Sequence, residues 1–260
     1  MTVRRLAELN WAELTEAAPR SIAILPIGSQ EQHSAHLPLG TDTLLVEAAL
    51  DRALTGFDGT DGPALIRLPT MPYGHSPHHL FRAAISLGPE TLLRVLAEFL
   101  DSLHTCGFAR VLIVNGHGGN TELLSVAVKQ FALRAPVVAA TCDYWDVAAG
   151  EDSDGVEDPG TTPGHAGRFE TSLMLAAHPA LVGDPSGQPA PDAPPLFDRP
   201  VHPGLTIAPS GEWARVGGLT DDPAAADAER GRALLGRRAR GLARAIHAFD
   251  QATTHWTGTS

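Results

Sequence analysis

Lysine is almost missing from this chain of 260 residues: it occurs once, at Lys129. Acidic residues outnumber lysine plus arginine by 30 to 19, a formal net charge of −11. That balance argues against sequence-independent binding to nucleic acid or anionic lipid, which needs clustered Lys and Arg. Cysteine is nearly as scarce. Cys106 and Cys142 are too few for a disulfide framework or a four-cysteine zinc site, and read as small buried hydrophobes. No apolar run approaches the ~18 residues of a membrane span. The opening MTVRRLAELNWAEL has neither a continuous apolar core nor a small-residue cleavage site. No secretory leader is therefore expected, and the cytoplasm is the expected location. What remains is 43% hydrophobic and 19% charged, an ordinary globular composition that excludes disordered and fibrous classes. At this length it suffices for one sizeable core, so a single domain over 1–260 is expected.

The apolar pattern alternates between two periods. SIAILPIG (21–28), ALIRL (64–68), RVLIV (110–114) and PVVAAT (136–141) read as buried strands. Residues 81–87 read as a further extended piece. Helical spacing appears from Thr43 to Leu54, with Thr41 or Asp42 as its cap, and again over 121–133 and 167–178. Pro89 and Glu90 open a helix that runs to about His104, and Gly107 closes it. A last helix over 223–250 starts at Pro223. Residues 150–158 form an acidic loop, and 183–204, with seven prolines, an extended excursion. Strand–helix alternation of this kind predicts an α/β fold: a doubly wound, mostly parallel sheet with helices on both faces.

Histidine is the residue in excess. Twelve are present, most of them in four places: 33–36, 75–79, 117 and 165. In parallel α/β sheets, ligands gather outside the carboxyl ends of the strands, so residues distant in sequence can meet there. Directly after the first strand comes EQHSAHLPLGTD (31–42). Glu31 and His33 are two apart and share a side of an extended chain. Asp42 stands at the positive end of a helix, which favours its ionised form. Carboxylates and imidazoles together suit Mn²⁺, Zn²⁺ or Fe²⁺; a polar surface loop with a capping aspartate is the alternative. NGHGGN (115–120) places His117 between glycines that let a ligand approach the backbone. A phosphate loop is disfavoured there, since Thr121 stands where a third glycine would be needed and no GK[ST] follows. GHAGRFETS (164–172) brings His165 and Glu170 to a helix start. In YGHSPHH (73–79), Ser76 is a candidate substrate contact but not a nucleophile, because no GxSxG elbow surrounds it. Adjacent in an extended chain, His78 and His79 would not face one metal. Trp145 is a candidate pocket wall or a packing residue.

Taken together, GSQEQHSAHLPLGTD (28–42), GFARVLIVNGHGGN (107–120) and GHAGRFETSLML (164–175) resemble the creatininase family of metal-dependent amidohydrolases. The resemblance covers roughly residues 5–250. It implies a flavodoxin-like fold, a homohexamer and two divalent ions (Zn²⁺ and/or Mn²⁺, with Fe²⁺ an option). The implied ligands are Glu31, His33, Asp42, His117 and Glu170, with Asp42 bridging. His165 matches the acid/base histidine; Glu170 also counts among the catalytic residues. His36, Ser76, Gly118 and Trp145 are the expected substrate contacts. The chain departs from the creatinine-cleaving members at Gly119, where they carry a glutamate. It also departs at Gly118, where they carry an aromatic residue, and at Thr161–Pro163, where a tryptophan precedes the HAG motif. Ser34–Ala35 replaces the usual Gly-Pro. These departures point away from creatinine itself. The expected activity is hydrolysis of a C–N amide bond in a cyclic amide or similar small substrate. A mycofactocin-precursor-type peptidase or a formamide deformylase are the alternatives within the family. A catalytically silent, metal-stabilised binding subunit is the alternative of another class. Phosphate-ester hydrolysis lacks a basic clamp, with Arg82 and Arg168 as the nearest candidates.

Overall fold

The computed structural model describes residues 3–57, 62–147, 162–188, 190–193, 195–197, 201–202 and 204–256. The acidic loop expected at 150–158 lies outside them, as does part of the proline-rich excursion. Five strands form one sheet: β1 (Val3–Arg5), β2 (Ser21–Ile27), β3 (Ala64–Arg67), β4 (Arg110–Asn115) and β5 (Val138–Asp143). Their order is β1-β3-β2-β4-β5, and every pairing is parallel. From β2 the chain crosses to β3 on one side and later to β4 on the other. The crevice between the ends of β2 and β4 is therefore the topological switch point, where open α/β sheets bind ligands.

Side-chain alternation along the strands builds two cores. Ile22 and Ile24 of β2 and Leu112 and Val114 of β4 face α2 (Thr41–Leu54), α5 (Arg168–Ala177) and α7 (Ala228–Thr253). Ala23, Leu25 and Ile27, with Val111 and Ile113, face the other way, against α3 (Pro89–Thr105) and α4 (Thr121–Ala132). A strand buried on both faces needs no polar alternation, which is why these segments read as unbroken apolar runs. Leu92, Leu96, Leu100 and Leu103 recur along α3 at helical spacing and are all buried. No helix among the described residues is long and apolar enough to cross a membrane.

Several boundaries differ from the sequence reading for identifiable reasons. Residues 81–87 join no sheet; Ala84 makes an antiparallel bridge to Glu31 instead, so this segment braces the loop after β2. Thr41 and Asp42 lie inside the first turn of α2, whose N-cap is Gly40 with no side-chain cap. Pro223 opens only a short 3₁₀ turn. Asp227 caps α7 by accepting from the Arg230 amide. Helix α1 (Trp11–Ala17) is held by a capping box between Asn10 and Glu13.

Gly231 lets α7 lie directly against α5. A Cβ there would fall inside the carbonyl oxygen of Ser172, and backbone cannot yield as a flexible side chain can. Gly231→Ala gains about 1 kcal/mol of helix propensity, but the clash costs about 3 kcal/mol. The variant is expected to unfold at lower urea than the parent; an unchanged midpoint would show that the helices can part freely.

Candidate functional site

The loop after β2 begins by pairing, Gln32 N donating to Ala83 O (2.7 Å) and Ile85 N to Gln30 O (2.8 Å). Held extended, it turns Glu31 and His33 to one side. Ser34 then takes φ 58°, the left-handed conformation that glycine adopts freely and another residue at about 1–2 kcal/mol. The glycine-type turn thus survives without the glycine. Asp42, in the first turn of α2, faces the same space, as does His117 beyond β4. The same space is reached by Glu170 in the first turn of α5, whose carboxylate accepts from Ala166 N (2.6 Å). All five residues are buried, none more than 4% exposed.

They form two triads that share one member. Ligand atoms of Glu31, Asp42 and His117 lie within 4.8 Å of one another, and so do those of His33, Asp42 and Glu170. Each imidazole is turned by a hydrogen bond on its far side. His33 donates from Nδ1 to its neighbour Glu31 O (3.1 Å), leaving Nε2 at 3.2 Å from Asp42 Oδ1 and 3.7 Å from Glu170 Oε2. His117 donates from Nε2 to His75 O (3.0 Å), leaving Nδ1 at 3.1 Å from Asp42 Oδ2 and 3.4 Å from Glu31 Oε1. A backbone acceptor on one ring nitrogen fixes which nitrogen offers its lone pair, the usual arrangement behind a metal-bound histidine. Glu31 Oε2, Asp42 Oδ2 and His33 Nε2 are buried and have no hydrogen-bond partner. Imidazole lone pairs turned toward carboxylates in a buried space call for positive charge between them. This donor set suits borderline divalent cations, and Asp42 belongs to both triads.

Without a cation, protons supply that charge. Burial opposes protonation of His117, but the Glu31 and Asp42 carboxylates outweigh it and raise its pKa to about 9. Burial likewise opposes protonation of His33, and Asp42 with Glu170 raises it well above the usual value. Burial pushes Glu31 up to about 7. All three raised values have the same sign for stability. The contribution from His117 is fully present below its unfolded pKa of ~6.5 and is lost as pH rises through about 9. Chelator-treated protein is therefore expected to show a Tm that falls from pH 6.5 to pH 9 in calorimetry. A flat or rising Tm would contradict the assigned protons. Cation binding must displace them, so affinity should rise over the same interval.

His165 sits beside the triads. Its Nε2 meets Gln32 O at 2.6 Å and its Nδ1 lies 3.4 Å from Glu31 Oε1. Thr220 Oγ1 accepts its backbone N–H (2.7 Å). Burial, then the neighbouring His33, lowers its pKa well below the usual value, so it stands neutral with the Nδ1 lone pair facing the site. His79 stacks on it, ring centroids 4.0 Å apart. The Gln32 amide oxygen accepts from Ser34 N (3.0 Å), so its NH₂ faces His79 Nδ1 (2.8 Å). The His79 proton is thereby placed on Nε2, 3.5 Å from Glu31 Oε1.

The cavity over these groups holds about 190 Å³. Glu31, Asp42, His117, His165 and Glu170 line it together with the rings of Trp145, His78, Phe197 and Trp213, and with Gly118 and Gly119. Among the described lining residues there is no lysine or arginine. Arg82 borders a separate cleft, and Arg168 donates its backbone amide to Asp221 Oδ1 (2.6 Å). Phosphate therefore has no clamp here. Ser76 and His36 are buried behind the wall and do not line the cavity. The Ser76 hydroxyl bonds Ser29 and lies 3.2 Å from His117 Nε2, while His36 Nε2 lies 2.9 Å from Thr171 Oγ1. Gly119 has no room for a glutamate: a Cβ there would strike His75 O and His117. Glu170 supplies the carboxylate of the second triad instead.

Trp213 and Phe197 carry no local sequence signal for the site, and His79 stands out only within the YGHSPHH cluster. Trp213 comes from the four-residue helix α6 (Glu212–Arg215), too short for a periodic signal. His78 and His79 reach one site because Pro77–His79 is a 3₁₀ turn rather than extended chain; proline followed by two histidines was the available cue.

Residues 7–246 match the creatininase model, described as creatinine amidohydrolase. A mycofactocin precursor peptide peptidase of Mycobacterium ulcerans is 37% identical over 163 residues, 61% of this chain and 59% of that protein. The match thus spans about three fifths of that relative's length. Creatinine amidohydrolase of Pseudomonas putida is 30% identical over 270 aligned positions, 93% of this chain and 95% of that one. A solved zinc–zinc form of a mutant creatininase superposes with a TM-score of 0.75 at 25% identity, covering 97% of this chain and 98% of its own.

Proposed function

The chain belongs to the creatininase family, and on that premise we propose that it hydrolyses the C–N bond of a small amide. The observation that carries the proposal is Asp42, common to two buried His/carboxylate triads whose imidazole lone pairs converge. Glu31, Asp42 and His117 would hold one divalent cation, Zn²⁺ or Mn²⁺, and His33, Asp42 and Glu170 the other. Bound there, the ions supply the chemistry of two-metal hydrolases: an acidified water and a polarised carbonyl oxygen. The chain's own residues do the rest. Neutral His165 accepts a proton at Nδ1 as water adds to the amide carbon. It returns that proton to the leaving nitrogen, which cannot depart as an amide anion. His79 Nε2, 3.5 Å from Glu31 Oε1, lies beside that carboxylate, while Trp145 and Trp213 shelter the reacting atoms from bulk water.

The absence of lysine and arginine from the described wall favours an uncharged amide over a phosphate ester. Gly118 and Gly119 favour a substrate other than creatinine. Peptide hydrolysis is a second reading, favoured by the 37% identity to a peptidase; a cavity of about 190 Å³ would take a peptide's end, not its middle. A homohexamer acting in the cytoplasm, with residues 1–260 as one unit, completes the proposal. The test is a panel of creatinine, formamides and short peptides, followed by mass spectrometry with and without chelator. Turnover of one class, lost with chelator and restored by Zn²⁺ or Mn²⁺, supports the reading. No turnover across the panel by cation-loaded protein would favour a silent binding subunit.

A further inference from the structure

Three residues that close the catalytic cavity face a second space as well. His78, Phe197 and Trp213 line the small cavity, and the same three line a neighbouring cleft of about 410 Å³. Beyond them the cleft is walled by Pro77, Phe81, Ala208 and Pro209, which offer almost nothing to a polar ligand. Glu212 is the one carboxylate among its described lining residues, and it is engaged. It takes Arg215 at 2.7 and 2.9 Å and the Leu196 amide at 3.1 Å. That last bond ties the chain at Phe197 to α6, so Phe197 and Trp213, stacked 4.2 Å apart, stand as one partition. Glycines with positive φ bound the short helix, Gly211 (76°) on one side and Gly217 (62°) on the other.

We infer that this cleft is a substrate subsite: it receives an uncharged apolar substituent, such as an aromatic ring, carried by the amide whose C–N bond lies in the small cavity. The inference rests on the hydrolase reading for the identity of that amide. Size supports it. The catalytic cavity alone is below the roughly 300–1,000 Å³ usual for small-molecule sites, whereas cavity and cleft together fall within that range. The chemistry of the walls supports it too. Aromatic rings and prolines reward apolar surface brought out of water, and the cleft's described lining residues include no lysine or arginine and no carboxylate besides the engaged Glu212. A substituent carried past the three shared residues would meet Phe81 on the far side.

Binding without turnover tests this independently of hydrolysis. Metal-reconstituted protein is titrated with N-methylacetamide, N-benzylacetamide and N-(4-carboxybenzyl)acetamide, and Kd is read by ligand-observed NMR. The benzyl compound is expected to bind at least about 10-fold more tightly than the methyl compound, the return on burying one ring. The carboxybenzyl compound should lose most of that gain. In Ala208→Trp, whose new ring occupies the cleft, the benzyl-to-methyl ratio should fall below about 2-fold. Ala208 is exposed on a loop, so folding is not at issue; Ala214→Trp, from the adjoining helix, repeats the blockade. Equal affinities in the parent protein, or a ratio that survives both tryptophans, would overturn the inference. Should all three amides bind as expected and none be hydrolysed, the subsite stands and the catalytic reading fails.

Discussion

Asp42→Asn should cost more than about 100-fold in turnover. The variant keeps the size and hydrogen-bonding shape of the side chain but removes its charge. Asp42 is the one residue present in both triads, with Oδ1 at 3.2 Å from His33 Nε2 and Oδ2 at 3.1 Å from His117 Nδ1. Burial works against its ionisation, yet His33 and His117 hold its carboxyl well below the usual range. Deleting even a group behind a metal ligand typically costs 10–100-fold, so deleting a shared ligand must exceed that. The check is steady-state hydrolysis of whichever amide the panel identifies, at saturating Zn²⁺ or Mn²⁺. Loss within 10-fold would show that the two triads do not act as one centre.

His165→Gln is expected to lower kcat by about 10²–10⁴-fold, the usual worth of a positioned acid–base group, with KM and bound metal close to the parent's. The separation matters, because His165 lies near the ligands without standing in the two triads that share Asp42. Its Nε2 is held by Gln32 O and its backbone by Thr220. If metal content fell in parallel with kcat, the lone pair at Nδ1 would belong to a cation and proton transfer would need another residue. That result would turn attention to the grouping of Glu31, His33 and His165, whose ligand atoms also lie within 4.8 Å of one another.

How far such a site could be read from sequence depended on what sort of signal each part carries. The central strands were legible because burial on both faces makes SIAILPI and RVLIV continuous apolar runs. The residues of the two triads were legible because Glu31, His33 and Asp42 follow one strand, His117 follows another, and Glu170 starts a helix. Those are the places where an α/β sheet presents side chains. Strand β1, three residues long, has no period to detect. The wall of the cavity was hidden for a different reason. Trp213 and Phe197 reach the site through tertiary packing of a proline-rich segment, and nothing local marks them. Gly119 was visible as a departure from the family, but its meaning needed coordinates. Only with His75 and His117 in place is it evident that a glutamate cannot fit there, and that Glu170 is the carboxylate grouped with His33 and Asp42.

One measurement bears most directly on this account: divalent metal per chain, by elemental analysis of untagged protein after reconstitution with Zn²⁺ or Mn²⁺ and removal of excess. Two triads sharing Asp42 predict about two ions per chain. A value near one would dissolve the shared centre, and none would contradict the hydrolytic reading of this site.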